Sequence, residues 1–195
     1  MSRLHYYAAM IFLVASLLSL VGPGMARSVP EFAVNSNPRP VVQPPADGAV
    51  GWFQRMKPYC NTVEVEIALR NNPAPDGIDG VAYSAACLAL AGRIDDARSA
   101  IAALPEEDRA EAAGVVFDVA HPIADAGDDR SAGPIMGLVV EFWPNHYMAL
   151  YHAGMASYGL GYSELAKKYL ESFLQLYQQE DGWRSNAQQV LRRLK

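Results

Sequence analysis

Apolar and polar residues follow the period of an amphipathic helix along most of the chain. From about residue 61 onward, apolar positions recur three and four residues apart, which places them on one face of a helix. The pattern predicts eight helices, over residues 61–71, 79–91, 95–104, 107–120, 131–142, 146–159, 163–178 and 183–194. The predicted fold is therefore all-α, in a helical domain that covers residues 51–195.

The first predicted helix is ambiguous. Val63, Val65 and Ile67 alternate with polar residues, a pattern that also fits a β-strand. A helix is favoured because every later segment has helical spacing, and because Asn61 or Thr62 can cap its start.

Two kinds of small residue repeat along the helical part of the chain. Three glycines are separated by 35 and 34 residues: Gly92, Gly127 and Gly161. Three alanines repeat the same intervals, each five residues after a glycine: Ala97, Ala132 and Ala166. A glycine can adopt the positive φ that ends a helix, and an alanine lets two helices approach closely. The period predicts three helical hairpins.

These hairpins resemble the tetratricopeptide repeat family over roughly residues 78–180. The third unit matches the family's large and small positions best, at Leu150, Ala153, Gly154, Gly161, Ala166, Leu170 and Phe173. The first unit offers Val81, Ala85, Leu88, Gly92, Ala97, Ile101 and Leu104 in the same order, and the middle unit offers Val116, Ala120, Ile123, Gly127, Ala132, Met136 and Val139. The resemblance implies a short, right-handed superhelical stack of hairpins, closed by a capping helix that begins at Trp183.

The resemblance also implies a concave groove, formed by the first helix of each hairpin, that binds a protein or peptide. Carried over by position, its residues are Phe117, His121, Asp125, Met148, Tyr151, Met155 and Tyr158. Methionine and tyrosine side chains suit an adaptable apolar contact surface. The alternative is that the chain fills this groove with its own tether or with neighbouring helices.

The densest polar group in the sequence surrounds His121. Asp118 and Asp125 are three and four residues away, so a continuous helix would place both carboxylates beside the imidazole. Such a group could bind a metal or act in acid–base catalysis. Pro122 is expected to kink or break the helix and interrupt this geometry, because an interior proline costs roughly 3 kcal/mol. A structural role is therefore predicted, with no metal.

Other signals of an enzyme are missing from the sequence. It has no glycine-rich phosphate loop, no serine nucleophile elbow and no metal-spaced pair of cysteines. His146 and His152 are six residues apart, on different sides of a helix, and are expected to be ordinary helix or interface residues. No catalytic residue and no cofactor are predicted, and the chain is not expected to be an enzyme.

Residues 1–26 match a secretory signal peptide. Arg3 precedes an apolar run of about 14 residues from Ala8 to Val21, and the small Ala26 follows a helix-breaking Gly-Pro-Gly sequence. The run is shorter than the roughly 20 residues that a helix needs to span a bilayer. The alternative is an uncleaved N-terminal anchor. The chain is predicted to be exported, periplasmic or extracellular, and membrane-tethered if the anchor is retained.

Residues 27–50 are predicted to be a disordered tether. Five prolines lie in this stretch: Pro30, Pro38, Pro40, Pro44 and Pro45. Each proline disfavours a helix at the residue before it. Trp52 and Phe53 follow the tether, and we expect them to plug the first hairpin rather than to bind a partner.

The two cysteines, Cys60 and Cys87, are predicted to form a disulfide. Exported proteins keep paired cysteines oxidised, and an even count favours a bridge. The alternative is that Cys87 is a small buried residue of a helix.

Charge excludes one class of partner. The chain of 195 residues has a formal net charge of −5 and no cluster of Lys and Arg. Affinity for nucleic acid comes mostly from neutralising phosphates, so no nucleic-acid partner is predicted.

Together these patterns predict an exported adaptor or scaffold that binds another protein. A second hypothesis is a self-associating structural protein of the cell envelope, in which the groove is a homo-oligomer interface. A hydrolase or metal enzyme built around His121 is the least favoured hypothesis.

Overall fold

The computed structural model describes residues 48–194. Over this range the secondary structure consists of α-helices and one 3-10 segment, with no strand. The helices are α1 (Gly48–Met56), α2 (Val65–Asn71), α3 (Ile78–Leu90), α4 (Ile94–Ala102), α5 (Glu106–Asp125), α6 (Asp129–Phe142), α7 (Tyr147–Gly159), α8 (Ser163–Leu176) and α9 (Gly182–Arg193), with a 3-10 segment at Lys57–Tyr59. None of these helices is both long enough and apolar enough to cross a membrane.

The all-helical prediction is confirmed over the described range, and six predicted helices lie within two residues of their observed bounds. The first predicted helix begins at Val65 rather than at residue 61, and its helical backbone rules out the strand alternative. The helix predicted over 107–120 continues to Asp125.

Helix α1 was not expected, because the tether was predicted to reach residue 50. That boundary is wrong for residues 48–50, which are helical. Tertiary packing overrides the two glycines of α1, since Trp52, Phe53 and Met56 are all buried on one side of it. The rest of the predicted tether, residues 27–47, and the predicted signal peptide, residues 1–26, lie outside the described residues.

The three repeating glycines all end a helix in the same way. Their φ angles are 76° at Gly92, 76° at Gly127 and 82° at Gly161, a region that favours glycine. At each turn the residue after the glycine donates its amide hydrogen to the carbonyl five residues earlier, and the glycine amide donates to the carbonyl three residues earlier. This pair of bonds is the Schellman motif. The chain therefore reverses identically at α3–α4, α5–α6 and α7–α8.

The repeating alanines lie at the helix contacts that these turns create. Ala97, Ala132 and Ala166 are each at most 1% exposed. Each is on the second helix of its hairpin, where a larger side chain would separate the paired helices. The predicted hairpin period is therefore observed at both of its landmarks.

Buried apolar side chains form two clusters. The main core runs from α1 to α7, and about half of its buried residues are alanine. The C-terminal cluster joins α7, α8 and α9 through larger side chains, with its buried members at Leu150, Tyr151, Leu170, Phe173, Ala187 and Val190. Small residues allow close packing at one end of the array, and aromatic rings fill the other.

The N-terminal end carries the predicted plug and the predicted covalent link. Trp52 and Phe53 are 2% and 6% exposed, which confirms that they are part of the core. The Trp52 indole donates a hydrogen bond to the carbonyl of Asn72 at 3.1 Å. The Sγ atoms of Cys60 and Cys87 are 2.03 Å apart, so the structure places the two cysteines at disulfide distance.

Candidate functional site

A kink or a break of the helix was predicted at Pro122, and the break does not occur, because α5 continues through this residue. The helix runs without interruption to Asp125, and its last turn closes with a bond from the Ala126 amide to the Pro122 carbonyl at 3.2 Å. Proline lacks an amide hydrogen, which leaves the carbonyl four residues earlier without its helical partner. The break is avoided because α5 is anchored against the main core up to Ala120 and only one further turn must follow.

Because α5 is continuous, His121 and Asp125 stand one turn apart on the same face. Nε2 of His121 is 3.4 Å from Oδ1 of Asp125. The same carboxylate oxygen is 3.5 Å from Nε2 of His152, which lies on α7. Two imidazoles from neighbouring hairpins therefore converge on one carboxylate. We call these three residues the His–Asp–His cluster.

Both imidazoles of the cluster are short of hydrogen-bond partners. His152 is 7% exposed and His121 is partly buried. Nε2 of each ring is buried, and neither atom has a hydrogen bond within the described residues. Buried polar atoms are normally satisfied, and an orphan costs about 1–3 kcal/mol.

Electrostatics keeps His152 neutral at neutral pH. Its pKa is lowered from 6.5 to about 4, mainly by burial and to a smaller extent by the nearby His121. The Asp125 carboxylate acts in the opposite direction but does not offset burial. The contact of His152 with Asp125 is therefore not an ion pair at pH 7, although the atoms are close enough for one.

Ring contacts link the cluster to aromatic side chains on either side. The ring centroid of His121 is 4.7 Å from that of Phe117 and 5.0 Å from that of His152. The His152 ring is 5.4 Å from both Tyr151 and Trp183. A continuous path of rings therefore crosses α5, α7 and α9, at separations typical of favourable aromatic pairs.

Trp183 is held on this path by the start of α9. The Asp181 carboxylate caps the helix by accepting the amide hydrogens of Trp183 and Arg184 at 3.0 and 3.1 Å. The Tyr177 hydroxyl also donates to Asp181, and this bond raises the pKa of Tyr177 to about 12. Helix α9 thus places the Trp183 ring on Tyr151, at a centroid distance of 4.6 Å.

A cleft of about 450 Å³ opens beside the cluster, between the end of α5, α7 and the start of α9. Its lining includes Asp125, Tyr151, His152, Met155, Trp183 and Asn186. We call it the C-terminal cleft. Its lining mixes the apolar side chains of Met155 and Trp183 with polar groups that include a second carboxylate, Asp129. Mixed linings of this kind are found at sites that bind and orient a ligand.

The residues of the predicted groove are distributed over this region unevenly. Tyr151, Met155 and Asp125 line the C-terminal cleft, and His121 borders it through the cluster. Phe117 is 7% exposed, between His121 and the ring of His146. The remaining two, Met148 and Tyr158, are partly buried against the main core and the C-terminal cluster respectively.

The sequence analysis did not assign His152 to a site with His121, although their spacing could have shown it. The two histidines are 31 residues apart, so His152 lies three residues before the position that is one 34-residue repeat after His121. Residues three apart share a helix face, so this spacing places the two histidines side by side on neighbouring first helices. His146 has a different role, since its Nδ1 accepts the amide hydrogen of Ala149 at 3.1 Å and caps α7.

A second and larger cleft, of about 750 Å³, lies at the opposite end of the array between α1 and α2. Three of its apolar side chains are exposed: Tyr59 by 47%, Val63 by 85% and Ile67 by 62%. We call it the N-terminal cleft. Among residues 48–194, its walls carry no titratable cluster comparable to the His–Asp–His cluster.

The chain was also compared with known proteins. No family model, no curated protein and no solved structure matches it.

Proposed function

We propose that this chain is a tetratricopeptide-like adaptor that binds an apolar or aromatic segment of another protein in the C-terminal cleft. The observation that carries this proposal is the composition of that cleft. Met155 and Trp183 are partly exposed and offer adaptable apolar contact area beside the polar group of Asn186. The ring of the buried Tyr151 packs against Trp183.

The helical scaffold supports an adaptor. Three hairpins share the same glycine turn and pack through buried alanines. The first helix of the third hairpin, α7, contributes Tyr151, His152 and Met155 to the lining of the C-terminal cleft. We propose that these hairpins form a short right-handed superhelix of the tetratricopeptide type, with α9 as its cap. Such repeat arrays typically bind through extended surfaces rather than through catalytic groups.

Helix α9 covers the Tyr151 part of the proposed binding surface. Trp183 packs on Tyr151, and Asn186 donates a hydrogen bond to the Tyr151 hydroxyl at 3.4 Å. The chain therefore fills part of the predicted groove itself, and the proposed partner contact is confined to the open side around Met155.

The adaptor proposal is tested by site-specific photocrosslinking in the cells that produce the chain. A photoreactive residue at Met155 is expected to capture one dominant protein, identified by mass spectrometry, and Met155→Arg should remove that complex. Leu165 on α8 is the matched control, because it is 40% exposed and lies outside the cleft. Equal capture at both positions would contradict partner binding in the cleft.

Self-association is a second candidate, favoured by the exposed apolar side chains of the N-terminal cleft. A second copy of the chain would cover Val63 and Ile67, whose exposure is otherwise unfavourable. Light scattering should then show a dimer that Ile67→Asp converts to monomer, whereas Leu176→Asp, at an exposed position of α8, should not change the mass. A monomer at micromolar concentration contradicts this candidate.

We further propose that the chain is exported, which is the setting in which a pair of cysteines at disulfide distance persists. Mass spectrometry of the mature protein tests this proposal. Loss of residues 1–26 is expected after export, and a full-length chain found with reduced thiols in the cytosol would contradict it.

A further inference from the structure

We propose that His121, His152 and Asp125 bind a divalent transition-metal ion of the zinc class, through two imidazole nitrogens and one carboxylate oxygen. The sequence led us to expect no metal, and the continuous helix α5 removes the reason for that expectation. Metal binding here would not require that the chain be an adaptor.

The spacing of the donor atoms fits a tetrahedral ion. Bonds of about 2.0–2.1 Å at tetrahedral angles separate neighbouring ligand atoms by about 3.3 Å. The two distances from the Asp125 carboxylate to the imidazole nitrogens are 3.4 and 3.5 Å. One donor atom from each of the three residues lies within 4.8 Å of the others. Small side-chain shifts would therefore bring the two imidazole nitrogens to the tetrahedral separation as well.

Burial gives a second, independent reason. His152 is more than nine-tenths buried, and its Nε2, which lies 3.5 Å from Asp125, has no hydrogen-bond partner in the part of the chain that the structure describes. Nε2 of His121 is orphaned at the same point. Two buried imidazole nitrogens that lie near one carboxylate without hydrogen bonds are costly in a protein alone, but a cation between them would satisfy all three groups.

The donor set selects the class of ion. Two imidazoles and one carboxylate suit Zn²⁺ and similar borderline ions, whereas Ca²⁺ and Mg²⁺ prefer oxygen ligands only.

The cluster supplies three ligands and leaves room for a fourth. Asp125 and His152 both line the C-terminal cleft, so an ion held by them would face open space there. Three protein ligands with one open position is the arrangement in which an ion can bind water or a group from another molecule. The open side faces Tyr151 and Trp183.

Calorimetric titration of the untagged, full-length chain with Zn²⁺, after removal of metals with EDTA, tests the proposal. One ion per chain is expected. Asp125→Asn and His121→Gln alter ligands that are partly exposed, so the fold should survive. Each is expected to weaken Zn²⁺ binding by more than about 100-fold, since loss of an outer-shell partner alone costs 10–100-fold.

Matched controls separate this site from general surface binding. Asp118→Asn removes an exposed carboxylate from the same helix, and His146→Asn removes a neighbouring imidazole while an Asn can still cap α7. Both variants should bind Zn²⁺ like the unmodified chain. Bound Co²⁺ should show the visible absorption of a four-coordinate ion, and Asp125→Asn should abolish it.

Three results would overturn the proposal. They are the absence of saturable one-to-one binding, equal affinity in the unmodified chain and in Asp125→Asn, and equal losses in the ligand variants and in the controls. Circular dichroism of each variant verifies that a loss of binding is not a loss of fold. Retained photocrosslinking at Met155 in Asp125→Asn would show that metal binding and partner binding are separate properties.

Discussion

The two ends of this helical array are stabilised by different means. At the N-terminal end, α1 to α4 pack through alanines and an apolar plug, with the cysteines at disulfide distance. At the C-terminal end, α7 to α9 pack through tyrosine, phenylalanine and tryptophan rings, and buried His152 lies among them.

The difference shows where polar chemistry fits in a repeat array. Alanine-lined helices can approach closely, which leaves little room between them for a large polar side chain. Large rings meet at angles and leave gaps between them, and in this chain the gap between α5, α7 and α9 holds both the His–Asp–His cluster and the C-terminal cleft. The candidate site therefore lies at the aromatic end.

Phe173→Ala is expected to have the largest effect and tests whether the aromatic end is stabilised separately from the N-terminal end. Phe173 is fully buried and contacts the rings of Tyr151 and Tyr177, so its loss leaves a cavity. The free energy of unfolding is expected to fall by about 3–5 kcal/mol in chemical denaturation. Hydrogen exchange should show that α7–α9 lose protection more than α3 and α4. A uniform loss along the chain would mean that the two ends do not differ, and Leu176→Ala, at an exposed position of the same helix, is the control.

Reduction of the Cys60–Cys87 pair tests how much this link stabilises the N-terminal end. The cysteines are 27 residues apart, and closing a loop of this length stabilises a protein by about 3 kcal/mol. Reductant should lower the free energy of unfolding by about this amount, with the first loss of exchange protection in α1 and α2. The double variant Cys60→Ser, Cys87→Ser should be insensitive to reductant. Denaturation curves that reductant leaves unchanged would contradict the link.

Two buried glycines, Gly80 on α3 and Gly154 on α7, allow the tolerance of the two ends to an added methyl group to be compared. A Cβ on Gly80 would lie 1.7 Å from the backbone oxygen of Pro75, whereas a Cβ on Gly154 would meet the side chain of Leu170 at 2.6 Å. Overpacking costs about 1–3 kcal/mol, and a backbone cannot rotate away as a side chain can. Thermal unfolding should therefore show a larger loss of stability for Gly80→Ala than for Gly154→Ala. The reverse order would show that the C-terminal end is the more rigid one.

The smallest expected effect is a pH dependence at the aromatic end. Burial lowers the pKa of His146 below 6.5, and its Nδ1 must stay unprotonated to cap α7. Below about pH 6.5 the unfolded chain therefore binds a proton at His146 more readily than the folded chain does, so the free energy of unfolding should fall as the pH drops.

Unfolding curves between pH 7 and 5, recorded with EDTA, should depend less on pH in His146→Asn. The remaining dependence is expected from His152, and an identical slope in both proteins would contradict the role of His146.

Much of the fold could be predicted because its signals are local. A glycine turn and an alanine contact every 34 or 35 residues identify the hairpins without knowledge of their packing. Helix α1 could not be predicted in this way. Its sequence, GAVGWFQRM, contains two poor helix formers, and it is stabilised by the burial of Trp52 and Phe53 against residues far along the chain.

The candidate site was predicted less well than the fold. His121 and Asp125 were identified as neighbours on one helix, but Pro122 was expected to separate them, and the packing that keeps α5 intact is not visible in a local pattern. His152 belongs to the site through contact between hairpins. Such contacts depend on the register of one repeat against the next, which a single helix does not reveal.

The uniform glycine turns determine which changes of length the chain can absorb. Each residue inserted into α7 would rotate all later positions of that helix by about 100°, and insertion before His152 would swing its ring away from Asp125. Duplication of a whole segment such as residues 128–161 would instead keep each helix in register with its neighbours, because it adds two complete helices and one more copy of the glycine turn. Longer versions of this architecture are therefore expected to grow by entire hairpins.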